Sequence, residues 1–249
     1  MSEAFSYYSG IPTFEMMLGI AMVAILIFLV GMILNMKKWG GGSIKVFLSA
    51  FIKSATKDGH QSILTTLVLD ILLQRRILRR SPFRWIMHML IFIGWGGMLV
   101  LSLIFAAFEM FQKIGIGSSD LNAVRNGFDA PNEILGYLLL IGIIIAIVRR
   151  LALSEVSKRS QVFDWVLVLG ILFITLTGFI AEGFRPDAIS AWTFLGANMA
   201  EAEAMVLAKT LSLFHVVISL LFCIAYIPFS KYMHMIAAPL VIIANGGGE

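Results

Sequence analysis

The stretch Phe214–His234, FHVVISLLFCIAYIPFSKYMH, places two imidazoles on a segment otherwise composed of side chains suited to lipid. Lys209 and Lys231 bracket an uncharged run of 21 residues, and at ~1.5 Å per residue such a run matches a hydrocarbon core of roughly 30 Å. It reads as a membrane-spanning helix. A histidine inside such a helix is costly, so His215 requires a hydrogen bond, a water-lined cavity or a metal centre. His234 follows just past the Lys231 end, about 28 Å from His215 if the helix continues, a spacing that suits two centres stacked across a membrane.

The rest of the chain fits that reading. Of its 249 residues 59% are hydrophobic and only 14% charged, which excludes an ordinary soluble domain and implies an integral membrane protein. The first apolar segment lacks a signal peptide's cleavage pattern, so it is expected to be retained. The single cysteine, Cys223, excludes an internal disulfide and a cysteine-ligated iron–sulfur cluster within the chain. Iron–sulfur chemistry, if involved, belongs to a partner. The net charge of +4 does not point to nucleic acid, because the bases lie between apolar segments and not on a soluble face.

Apolar runs at Met16–Met36, Trp85–Phe108, Ile134–Val148, Trp165–Ala181 and Thr210–Ser230 define five spans. With borrowed flanks these predict an all-α, single-domain bundle of five transmembrane helices near 16–36, 85–108, 133–151, 163–183 and 208–230. Loops 37–84 and 149–164 are rich in Lys and Arg and face the cytoplasm under the positive-inside rule. Loops 109–133 and 182–209 carry the acids, Glu109, Asp120, Asp129, Glu133, Glu182, Asp187, Glu201 and Glu203 among them, and face out. The N-terminus is then outside and the C-terminus inside. GHQSILTTLVLDILLQRRILRR, near 60–80, predicts an amphipathic helix on the inner surface, either anchored to lipid or docking a soluble partner. A helix is also expected within the Ala-rich part of 182–209. No internal repeat supports a transporter of duplicated halves.

His88 is the ionisable side chain of the second span, four residues after Arg84. Counted along the helices, His88 lies about 6 Å within the inner edge, His234 about as far beyond it, and His215 about 24 Å above it. Depth therefore pairs His88 with His234. Two facing imidazoles are how helix bundles hold b-type haem, and Arg84 and Lys231 stand one turn away, where haem propionates need cations. Any single histidine of this kind could equally be a satisfied packing residue. His60, in the polar inner loop, reads as a surface residue.

These residues carry a resemblance. IPFSKYMHMIAAPL, with His215 upstream, and RWIMHMLIFIGWGG resemble the last and second helices of the respiratory nitrate reductase gamma-subunit family of b-type cytochromes, and TGFIAEGFR is similar to the branch serving heterodisulfide reductases and related sulfur-metabolism complexes. The likeness implies a membrane subunit that oxidises a lipid-soluble quinol-type carrier, menaquinol or methanophenazine, and passes electrons through haem b to a cytoplasmic iron–sulfur subunit. It carries the iron ligands over to His88, His215 and His234. The family has a further histidine ten residues after the position of His88, where this chain has Met98, and its last-helix histidines are one residue closer together, a difference a kink at Pro228 could absorb.

One haem or two thus remains open. Met98 lies at nearly the depth of His215, so His–Met ligation is geometrically open, though among 14 methionines it could as well be core filler. His215 could also serve the carrier pocket or pair with His88. Gly94, Gly96 and Gly97 would allow close approach of a helix or a porphyrin. Glu182, Arg185 and Lys209, at the outer ends of the fourth and fifth spans, form a candidate site where the carrier's protons are accepted, with interfacial anchoring as the competing reading. The alternative function is a haem-free anchor or proton-conducting subunit.

Overall fold

The computed structural model describes residues 13–116, 121–185, 188 and 190–247. Asp120 and Asp187, two of the acids expected to face out, lie outside the described residues. Among the described residues every regular element is helical. Five helices are long and apolar enough to cross a membrane: Glu15–Trp39, Pro82–Lys113, Asn126–Ala152, Val162–Gly183 and Glu201–Ala225. They are referred to below as the first to fifth long helices.

Their ends follow from local chemistry. The first helix stops at Gly40–Gly42, where Gly41 and Gly42 take φ of 61° and 102°, a conformation that favours glycine. The second starts at Ser81-Pro82: the Ser81 hydroxyl accepts from the Arg84 N–H at 3.4 Å, and proline fills the first helical position, where no N–H is needed. The third begins earlier than expected, its helical residues running back to Leu121 with Pro131 inside, so Asp129 and Glu133 lie on a helix and not in a loop.

The fifth long helix departs most from expectation. It starts at Glu201, widens into a π turn over Leu221–Ala225 and ends there. Short 3₁₀ turns follow at Ile227–Phe229 and Lys231–Met233, with extended Ser230 between them, and a separate helix runs from His234 to Ala244. Pro228 cannot continue the helix. At the break Pro228's own carbonyl is taken by Asn35, whose Nδ2 donates to Pro228 O at 2.9 Å and to Gly31 O at 3.0 Å. Gly31 allows that approach, since a Cβ there would lie 2.6 Å from Pro228 Cβ. His234 is therefore not carried on the fifth helix, and the ~28 Å spacing along one rod does not hold.

Residues 60–80 are also not one helix. Ile63–Thr65 opens into a π-helix over Thr66–Leu72, Gln74 adopts φ of 51°, and Arg75–Arg80 forms a separate helix. The segment has two distinct faces: Leu64, Leu67, Val68, Leu72 and Leu73 are exposed, while Thr66, Asp70 and Gln74, spaced four apart, are buried. Arg75 ties that stripe together, its Nε 3.0 Å from Asp70 and its Nη2 3.2 Å from Gln61. A helix at Ile44–Ala55, capped by Ser43, goes beyond the sequence expectation; Lys45, Ser49 and Lys53, spaced four apart, set one polar face on it.

The chain divides into two compact units. One holds the described residues of Met1–Leu18, Met87–Ser160 and Val168–Ile218. In it the third helix buries Asp129, Leu139, Ile143 and Ala146, and Gly94 of the second helix rests on the third, where a Cβ would come 2.6 Å from Leu139 N and 2.7 Å from Leu135 O. An ion pair joins Lys113 to Glu15. The other unit holds the described residues of Gly19–Ile86, Gln161–Leu167 and Ser219–Glu249. There the His234–Ala244 helix packs on the π-helical segment and on Ile44–Ala55, with Ser54 Oγ donating to Ala244 O at 2.7 Å.

Candidate functional site

The residues singled out in the sequence fall into both units. The first unit holds His88, Met98, Glu182, Arg185, Lys209 and His215; the second holds Arg84, Lys231 and His234.

His215 lies on the fifth long helix, on the same face as buried Ala204 and Ala208, since four and eleven residues both return near the same helical angle. Its Nδ1 is 3.1 Å from the Thr177 hydroxyl of the fourth helix. That hydroxyl has one proton, which it donates to Ile174 O at 2.7 Å, so it can only accept from the imidazole. Nδ1 therefore carries the proton in the neutral ring, and the lone pair is on Nε2. Gly178 makes room for the ring: a Cβ there would be 3.0 Å from His215 Cε1.

His234, exposed at the start of the last helix, has Nδ1 2.5 Å from the Lys231 carbonyl. A carbonyl only accepts, so the same tautomer is set. His88 and Met98 are half-buried on the second long helix. His60 is half-buried as well, its ring beside Gly246, and so is not the open surface residue expected.

This donor set fits the haem that the sequence implies. An iron ligand must be a neutral imidazole with an unprotonated nitrogen, its other N–H held by a protein acceptor, and both His215 and His234 meet that condition. No group of three or more His, Cys, Asp or Glu side chains able to hold a bare metal ion occurs among the described residues.

Glu182 and Arg185 are brought together at the end of the fourth helix, with a third residue the sequence did not single out for this role. Arg185 Nη1 is 2.9 Å from Glu182, and its Nη2 pairs with Asp129 of the third helix. The Arg185 side chain is 3% exposed and Asp129 5%, against 23% for Glu182, so Asp129 is the fixed counter-ion and Glu182 the carboxylate within reach of protons. One turn beyond Asp129, Glu133 Oε1 accepts from Ala191 N at 2.8 Å, Ser190 Oγ at 3.1 Å and Tyr137 OH at 3.3 Å, which pins the loop around Ser190. Trp192 of that loop stacks on Phe179 at 5.3 Å, and Phe179 meets Tyr137 at 4.9 Å. Lys209 is buried on the fifth helix.

The two expected propionate partners differ. Arg84 is exposed. Lys231 is engaged with Asp164 at 2.8 Å and Gln161 at 3.1 Å. Its neighbour Tyr232 is buried and donates to Leu167 O at 3.3 Å; burial pushes its phenol well above the usual range, so it remains a donor.

Asp129, Thr177 and Asn35 are the residues that sequence reasoning missed. Asp129 reads as a loop charge when its helix is started at the first uncharged run. Thr177 and Asn35 are small polar groups inside apolar runs, and that placement was the signal available.

Five membrane-length helices, two of them carrying a histidine, with a buried ionic cluster at one helix end, define a multi-pass membrane subunit. The HdrE family, which is the E subunit of dihydromethanophenazine:CoB–CoM heterodisulfide reductase, matches residues 64–242, and the chain belongs to it. The E subunit from Methanosarcina barkeri is 44% identical over 273 residues, covering all of both chains. That from Methanosarcina mazei is 45% identical over 267 residues, covering 98% of this chain and all of the relative. An EtfAB:quinone oxidoreductase of Syntrophomonas wolfei is 30% identical over 189 residues, which span 67% of this chain and 26% of that protein. No solved structure matches the chain significantly.

Proposed function

We propose that this chain takes electrons from a lipid-soluble dihydro-carrier, dihydromethanophenazine or menaquinol, and relays them through b-type haem to a cytoplasmic iron–sulfur catalytic subunit of the heterodisulfide reductase kind. The observation that carries this reading is the setting of His215, a membrane imidazole whose Nδ1–H is held by Thr177 so that Nε2 is the basic nitrogen. The full-length likeness to the Methanosarcina proteins supports it, since their name pairs dihydromethanophenazine with the CoB–CoM heterodisulfide.

His88, His215 and His234 are the candidate iron ligands for one or two haems, with Met98 as a further candidate. Arg84 is the cation suited to a propionate, and Lys231 would have to leave Asp164 to serve as one. Bound haem supplies one-electron steps, dividing the two-electron oxidation of the carrier. The chain's own groups handle the protons. Glu182 accepts one, being the more exposed carboxylate on Arg185, while Arg185 stays charged and holds it in place. Lys209, buried on the fifth helix, is the third candidate group of this carrier site. With the basic loops toward the cytoplasm, the exposed Arg79, Arg80 and Arg84 offer a surface complementary to an acidic soluble partner and to anionic lipid headgroups.

A visible spectrum of the purified protein tests the reading. Sharp six-coordinate b-haem bands that appear on reduction by dithionite, and on addition of a reduced phenazine, are expected. Folded but colourless protein would overturn it and leave the haem-free anchor or proton-conducting subunit.

A further inference from the structure

We infer that Thr177 and Gly178 form a cradle that positions His215 as an iron ligand, Thr177 fixing its tautomer and basicity and Gly178 its ring orientation. This rests on the reading of His215 as a haem ligand.

Two features carry it. The Thr177 hydroxyl is committed by its 2.7 Å bond to Ile174 O, so at 3.1 Å it must be an acceptor for Nδ1–H. A membrane threonine could satisfy its own hydroxyl on the backbone without any second contact; here its lone pair is also aimed at the one histidine of the fifth long helix. The adjacent residue has no side chain, and a Cβ there would stand 3.0 Å from Cε1 and 3.5 Å from Nδ1, tighter at Cε1 than packing allows without the ring turning. A satisfied packing histidine would also need an acceptor, so what separates the two roles is the response of a bound iron to the Thr177 hydroxyl, which the variants below read out. Partial imidazolate character, induced by a held Nδ1–H, strengthens donation from Nε2 and stabilises the ferric state over the ferrous. The same pattern occurs at His234, but there the acceptor is the Lys231 backbone and no side-chain change can remove it.

The test uses the full-length chain in detergent with its native haem complement. Thr177→Val, Thr177→Ser, Gly178→Ala and His215→Ala are compared by haem-to-protein ratio, reduction potential and low-spin EPR. His215→Ala should lose haem. Thr177→Val should retain it with about tenfold weaker affinity and a potential shifted positive, and Thr177→Ser should return both to the starting values. Gly178→Ala, with the hydroxyl intact, should change the EPR g anisotropy through ring rotation, and it keeps the question answerable if the valine variant does not accumulate. A valine variant with unaltered affinity and potential, or a serine variant that behaves like valine, would reduce Thr177 to packing and overturn the proposal while His215 remains a ligand. Unchanged haem content in His215→Ala would remove the ligand reading itself.

Discussion

Arg185 keeps its charge at any pH the protein meets, yet its side chain is 3% exposed, and so its environment must supply a fixed anion. Asp129 does so from the third long helix and Glu182 from the fourth. Removing Asp129 leaves the buried guanidinium with Glu182 as counter-ion, so the loss falls below the roughly 3–5 kcal/mol of a fully uncompensated buried charge but well above what an exposed ion pair contributes. Asp129→Ala should therefore lower the thermal midpoint clearly, and Asp129→Asn less, because the amide still accepts one guanidinium hydrogen bond. Adding Arg185→Met to Asp129→Leu should recover most of the loss, since a matched apolar pair has no charge to solvate. Thermal unfolding in detergent measures all three. Equal losses for Asp129→Ala and for a change at exposed Glu155, whose pairing with Arg159 is at 4.0 Å, would show that the buried pair does not act this way. That Arg185 matters was readable in the sequence. Its principal partner, 56 residues earlier, was not, because nothing local to Asp129 says that its helix begins at Leu121.

At the scale of elements, the five spans were legible because uncharged runs of membrane length have few other readings. Interruptions were not. Pro228 announced a kink, but whether a helix bends or stops at proline depends on what satisfies the backbone around the break, and Pro228 O is taken by Asn35, nearly two hundred residues away. The buried polar stripe Thr66–Asp70–Gln74 escaped the sequence for a related reason: amphipathicity tells which two faces differ and not which one meets the protein. Glycines of the second long helix are now separable. A Cβ added at Gly94 would meet third-helix backbone and one added at Gly97 the Leu135 side chain, whereas at Gly96 it would find nothing within 4 Å. Gly94→Ala should thus destabilise by about 1–3 kcal/mol, since backbone cannot yield as a side chain can, while Gly96→Ala should be neutral or slightly stabilising through helix propensity. Chemical or thermal denaturation of the two variants gives the comparison, and equal sensitivity would contradict the packing described.

For the molecule as a whole, class and environment were written in composition, whereas the ligand set was not, because a methionine and a histidine in apolar helices each have an ordinary packing role. Counting helical rise along ideal rods related His88, Met98 and His215 by depth, but that count assumed a fifth helix reaching past Lys231, and the helix ends at Ala225. Depth therefore no longer places Met98 opposite His215, whereas the motif at His88, RWIMHMLIFIGWGG, does not depend on that count. The two residues therefore separate in one experiment on the intact protein. If His88 holds haem iron, His88→Ala should remove at least one haem per chain, seen as a fall in the reduced-minus-oxidised absorbance and in the haem-to-protein ratio, because the loss of a ligand would weaken the chain's hold on the group. Met98→Ala should leave ratio, band positions and potential unaltered if the half-buried thioether only packs, the ordinary role of a methionine on a long apolar helix. A spectrum unchanged by His88→Ala would exclude that histidine as a ligand. A positive potential lost with Met98→Ala would restore the His–Met pair, because thioether ligation is what raises a haem's potential.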